Sequence, residues 1–175
     1  DAVPNLAKEV NARTGIRMLA DEAQVGLTDE KLYQYPFLFI TGHGNIALTE
    51  AEVARLRHWL GIGGFIYADD DFGMDESFRR EMKRVLPNSD LVKLPFDHPI
   101  YSQPYSFPSG PPKIHEHYEG APEGWGIFLG GRLVVFYTYN SNVSDGWTPT
   151  HKDAPEVREQ AFRMGVNIIN YFCNN

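Results

Sequence analysis

Cysteine is almost absent from this 175-residue chain. Cys173 stands alone, which excludes an internal disulfide. Basic residues are outnumbered, 16 Lys and Arg against 23 Asp and Glu, and the formal charge of −7 leaves no electrostatic footprint for nucleic acid. No apolar run approaches the length a membrane-spanning helix needs. Internal repeats and low-complexity tracts are missing, and so is a Gly-x-Ser-x-Gly nucleophile elbow. No leader precedes the first predicted helix, so the sequence reads as a mature or trimmed form. What is present is an ordinary globular composition, 42% hydrophobic and 22% charged. That is enough to bury a core, and one domain over residues 1–175 is the simplest expectation.

The stretch from Tyr35 to Gly73 organises the rest. Phe37-Leu38-Phe39-Ile40 is a continuous apolar run, as expected of a strand buried on both faces. Gly42 and Gly44 around His43 permit a tight turn. Thr49 with Glu52 three residues on forms a capping box. Val53, Leu56 and Leu60 recur at helical spacing, with Trp59 beside them. Phe65-Ile66-Tyr67-Ala68 is a second buried strand that runs into Asp69-Asp70-Asp71. Strand, helix and strand of this kind make a parallel unit. Open α/β sheets bind ligands at the C-terminal ends of such strands. His43 and Asp69 to Asp71 are therefore expected on one sheet edge.

Elsewhere, a helix is predicted over Asn5 to Thr14, a possible strand at Ile16 to Leu19 and a short turn at Asp29 to Tyr33. A further helix follows over Asp75 to Leu86, its charged side chains forming a mostly solvated face, then a short strand at Leu91 to Leu94. Pro95 to Glu123 is rich in proline and aromatics and has no period; such long ordered loops are often functional. Trp125 to Leu129 and Arg132 to Tyr139, joined by Gly130-Gly131, read as a hairpin. A polar loop over Asn140 to Thr150 leads to a final helix from Pro155 to Phe172.

The residues offer competing chemistries. His115 and His117, two apart in an extended segment, point to one side. With His43 and Asp70, or another of the three aspartates, they make a His/carboxylate set for zinc or a similar divalent ion. Against this, such histidines commonly hydrogen-bond to loop backbone. His43 is either a base or ligand, or a partner for Asp69 or Asp70. The three aspartates either serve a ligand or are offset by arginines and helix N-termini. His43, Asp69, Asp70, His98 and Trp147 are the candidate ligand-binding residues, and an aromatic groove including Trp147 is the basis of a sugar-binding alternative. His98 has a second reading, fixing the start of the long loop. His58 and His151 read as solvated.

The phrases TGHGNIALTEAEVARLRHWL, GGFIYADDDFGMDESFRREMKRVLP, FDHPIYSQPYSFPSGPPKIHEHYEG, GRLVVFYTYNSNVSDGW and FRMGVNIINY together resemble a bacterial family of domains of unknown function, over about Asn5 to Tyr171. That family is similar in fold to class I glutamine amidotransferases and flavodoxin-like domains. The resemblance implies a three-layer α/β sandwich with a mainly parallel sheet, helices on both faces and a late antiparallel hairpin. It also implies a periplasmic or otherwise extracytoplasmic location. The amidotransferase cysteine at a strand-to-helix elbow is missing, since Cys173 falls at the end of the last helix. The first functional expectation is a non-catalytic binding or accessory module, without cofactor, that docks onto a partner protein or membrane-associated complex. The alternatives are a metal-dependent hydrolase acting on a small molecule or glycan, and a carbohydrate-binding domain.

Overall fold

A computed structural model describes all residues, 1–175, as a mixed α/β chain folded into two compact units. One, the sheet unit, comprises residues 24–93 and 124–139; the other, the helical unit, comprises residues 1–23, 94–123 and 140–175.

The sheet unit is built on strands β1 (Phe37–His43), β2 (Phe65–Phe72), β3 (Val92–Lys93), β4 (Glu123–Leu129, its first residue outside the unit) and β5 (Arg132–Tyr139). Their spatial order is β1-β2-β5-β4-β3. The sheet is parallel from β1 through β2 to β5, and antiparallel where β3 meets β4. Helices α2 (Glu50–Gly61) and α3 (Asp75–Val85) belong to the same unit. Val53, Leu56 and Leu60 of α2 and Phe78, Met82 and Val85 of α3 bury against Ile66, Ala68, Val135 and Tyr137. Alternate residues face the other side of the sheet. There Phe39, Tyr67 and Phe136 sit in matched register as a stacked row, with ring centroids 5.6 and 5.9 Å apart.

Local chemistry explains these elements. The capping box forms, Glu52 N donating to Thr49 Oγ1 at 3.2 Å and Thr49 N to Glu52 Oε2 at 2.8 Å. Trp59 is buried and donates through Nε1 to Tyr35 O at 3.0 Å. Gly64 lies flat against its indole, where any Cβ would collide with the ring. Arg57 joins the two helices by donating to Val85 O (2.7 Å) and Arg84 O (2.8 Å), carbonyls left over at the end of α3.

Four expectations are corrected. The apolar run Phe37–Ile40 is only half-buried, because β1 is the edge of the sheet and pairs on one side. Strand β2 continues through the three aspartates instead of ending before them, since the ladder pairs Thr41 with Asp69 and Gly42 with Asp70. Ile16 to Leu19 forms no strand. Glu81, expected on a solvated face, is buried. It accepts from Arg80 (3.0 Å), Arg84 (2.6 Å) and Leu48 N (3.3 Å). Burial works to raise its pKa, but these donors outweigh it and the net shift is downward.

The helical unit contains α1 (Ala2–Arg13), α4 (Pro155–Asn174) and two 3₁₀ turns, Pro99–Tyr101 and Val143–Trp147. Leu6, Ala7 and Val10 of α1 are buried, as are Ala161, Met164, Gly165 and Ile168 of α4. Trp147 fills the space between the helices and donates through Nε1 to Ala161 O at 2.9 Å. Gly165 is the clearance it needs: a Cβ there would stand 2.5 Å from Leu6 Cδ1 and 2.9 Å from the indole, while one on Gly146 would strike Ala161 of α4. The long loop is pinned by Asn167, which is fully buried. Its Oδ1 accepts from Tyr105 N (2.9 Å), and its Nδ2 donates to Ile100 O (3.0 Å) and Tyr105 O (2.7 Å). Outside the core, Arg13 grips both carboxylate oxygens of Glu159 at 2.9 and 2.8 Å.

Candidate functional site

Two places gather chemistry-bearing side chains. The first is the C-terminal edge of the parallel strands, where His43 and the three aspartates do meet. His43 Nε2 lies 3.2 Å from Asp71 Oδ2, with the imidazole largely exposed. Asp69 and Asp70 are completely buried. Thr138 donates through Oγ1 to Asp69 Oδ1 at 2.6 Å. A hydroxyl has one proton to give, so the 2.9 Å contact between Tyr67 and Thr138 has Tyr67 as its donor. The result is a relay from Tyr67 through Thr138 to Asp69. Burial and the Asp69 charge push the Tyr67 phenol well above its ordinary pKa. Asp70 Oδ1 accepts from Met74 N at 3.4 Å, at the start of α3. Asp75 Oδ1 accepts hydrogen bonds from Tyr137 Oη and Arg79 Nε, both at 2.8 Å. Asp69 and Asp75 are spent on the protein's own framework, and Asp70 commits its Oδ1 to it.

The second place lies wholly in the helical unit and joins two loops. His115 sits between two carboxylates, Nδ1 2.9 Å from Asp145 Oδ2 and Nε2 2.8 Å from Asp153 Oδ1. Partial burial opposes the charged ring, but the two aspartates outweigh it and the pKa rises. Asn142 Nδ2 donates to Asp145 Oδ2 at 3.2 Å. His151 Nε2 lies 3.5 Å from Asp145 Oδ1, and its ring centroid is 5.0 Å from that of His115. Ligand-type atoms of His115, His117 and Asp145 all fall within 4.8 Å of one another. His117 is exposed and also lines an open groove of about 490 Å³ with Lys113, Glu116, Tyr118, Glu119 and Gly120. Lys113 closes that loop by donating through Nζ to Tyr118 O (2.8 Å) and Gly120 O (2.7 Å).

The predicted site residues thus separate by role. His115 and His117 are together, but their carboxylate neighbour is Asp145; His43 and Asp70 belong to the sheet unit, engaged as described. His98 accepts from Ile100 N through Nδ1 at 3.2 Å and packs against the Tyr171 ring. Burial lowers its pKa against the pull of Asp97. That is its loop-fixing reading. Trp147 is enclosed at 1% exposure, so it presents no face on which a sugar ring can stack. His58 meets the Tyr33 hydroxyl at 2.9 Å. Asp145 and Asp153 escaped sequence reasoning because they lie 28 to 38 residues beyond the histidine pair, and His151 was read only as solvated. Cys173 is exposed on the last turn of α4, and partial burial of its sulfur raises the thiol pKa, the reverse of an activated nucleophile.

One further surface feature stands out. Residues 15–23 leave α1 as an arm without helix or strand. Asn11 ties it back to α1, donating through Nδ2 to Met18 O (2.8 Å) and accepting from Met18 N (2.7 Å). Leu19 is 84% exposed on it, with Asp21 and Glu22 also in solvent.

No helix of the chain is long and apolar enough to cross a membrane. Comparison with curated proteins finds no match. A family profile, however, matches residues 1–173, and the chain belongs to DUF4159, a domain of unknown function.

Proposed function

We propose that this chain is a non-catalytic binding or accessory module of an exported bacterial protein, docking onto a partner protein or envelope complex. We place it on a three-layer flavodoxin-like framework of the class I amidotransferase type. The extracytoplasmic setting comes from the family resemblance. The observation that carries the docking reading is the arm at residues 15–23. An irregular segment held by a side-chain clamp, with Leu19 presented to solvent, is a preorganised peptide-like surface. Arg17 before it and Asp21 and Glu22 after it call for a partner with an apolar slot rimmed by charges of both signs. Two facts favour binding over amidotransferase catalysis: no thiol stands at the strand edge, where Asp69 is committed to Thr138, and the one thiol of the chain is deactivated.

A photo-crosslinking residue at position 19 tests this in native extracts, beside the same probe at exposed Ala12 on α1. One discrete adduct from position 19, abolished by Asn11→Ala, supports the reading. No adduct, or the same ladder from both positions, refutes it.

A further inference from the structure

The geometry points to a divalent transition-metal site, of the zinc class, formed by His115, His117 and Asp145, with Asp153 orienting His115 from behind. This goes beyond the docking proposal and is independent of it.

The donor set comes first. Two imidazoles and a carboxylate suit zinc and its first-row neighbours better than calcium or magnesium, which prefer all-oxygen shells. Spacing is the second argument. Ligands on a tetrahedral ion with bonds of about 2.0–2.1 Å stand roughly 3.3 Å from one another. The 2.9 Å gap between His115 Nδ1 and Asp145 Oδ2 is just under that value, and no pair in the trio exceeds 4.8 Å. Closing on an ion takes side-chain adjustments of a fraction of the 4.8 Å that bounds the trio.

The third argument is the outer carboxylate. Metal-bound histidines characteristically donate their second ring N–H to a carboxylate, which fixes tautomer and orientation. Asp153 stands at that position, 2.8 Å from His115 Nε2. Its other oxygen, Oδ2, is buried without a hydrogen-bond partner, so this aspartate is held in place for His115 at a desolvation cost. Without an ion, both nitrogens of His115 carry protons and bridge the two aspartates. On binding, the Nδ1 proton leaves to solvent and the ion takes its place between His115 and Asp145, while the Nε2 proton stays on the Asp153 bond. His151 contacts Asp145 but stands outside the trio, so a water completes the shell on the groove side.

The test is titration of chelator-stripped full chain with Zn²⁺ by calorimetry, and with Co²⁺ by visible absorption. One ion per chain at about micromolar affinity or tighter, with the intense d–d bands of a four-coordinate cobalt site, is expected. His117→Ala, an exposed position, should weaken binding roughly tenfold or more while leaving the circular dichroism unchanged. Asp153→Asn should weaken it by roughly ten- to hundredfold and alter the cobalt spectrum. His58→Ala, in the sheet unit, should change nothing. Failure to bind either ion, binding unaffected by His117→Ala, or equal loss with His58→Ala would overturn the assignment. The crosslinking result at position 19 stands or falls separately.

Discussion

Replacing Asn167 by Asp keeps the side chain's shape but exchanges its donating amide group for an ionisable carboxyl oxygen. Asn167 makes three hydrogen bonds to the long loop, and two of them, to Ile100 O and Tyr105 O, come from Nδ2. An aspartate retains the bond accepted from Tyr105 N and loses the other two. Each lost bond costs about 1 kcal/mol, and a buried carbonyl left facing an acceptor adds about 1–3 kcal/mol. Part of this relaxes, so a destabilisation of about 3–5 kcal/mol at neutral pH is expected. That is a large part of the roughly 5–15 kcal/mol available to a domain. The pH dependence gives a second reading. Burial beside two carbonyls raises the folded-state pKa of the new carboxyl above its unfolded value near 4. The charge penalty is then absent below the unfolded pKa and grows as pH rises through the folded one. Protonation also restores one donor. Urea unfolding at pH 7 and pH 4, with hydrogen exchange across residues 100–107, measures both effects. A variant within about 0.5 kcal/mol of the parent at pH 7, or a loss independent of pH, would show that the clamp does not hold the loop.

Three further outcomes are expected. Gly165→Ala should destabilise by about 1–3 kcal/mol, because the added methyl must displace Leu6 or the Trp147 ring; a lowered melting point with altered tryptophan emission checks it. Hydrogen bonds from Arg13, with help from Arg163, outweigh burial and hold Glu159 at about 2, below its ordinary 4.5. This depressed group contributes stability above pH 4.5 that is lost as pH falls toward 2. Its partial exposure limits the amount to about 1 kcal/mol, and Glu159→Gln should flatten that part of an acid-unfolding profile. Thr49→Ala opens the capping box and should cost about 1 kcal/mol in denaturant unfolding.

Much of the fold was legible because local signals and tertiary packing agree. Thr49 and Glu52 announced the start of α2, and the helical spacing of Val53, Leu56 and Leu60 identified its buried face. Gly130-Gly131 marked the hairpin. The misreadings share a cause. Phe37 to Ile40 has the composition of a central strand, yet its position in the sheet depends on which strands pair, and no local pattern states that. Asp69 and Asp70 looked like a polar tip because burial of carboxylates is improbable until donors such as Thr138, 69 residues away from Asp69, are in place. The histidine pair was visible at short range; its carboxylates were not, because only folding brings the segment around Asp145 and Asp153 to His115. Glu81 was misplaced because helical period says which face a residue occupies, not whether arginines will enclose it.

The division of the chain has a consequence for anyone handling the molecule. Each unit is stitched from separate lengths of polypeptide, three for one and two for the other, so the backbone passes back and forth between them four times. Neither half can be excised as a continuous peptide, and a deletion aimed at one removes seams of the other. Early folding must bring distant stretches together before either is whole, which favours slow, all-or-nothing maturation over stepwise assembly during synthesis. A nick between Lys93 and Leu94 would therefore leave two fragments, each carrying parts of both bodies.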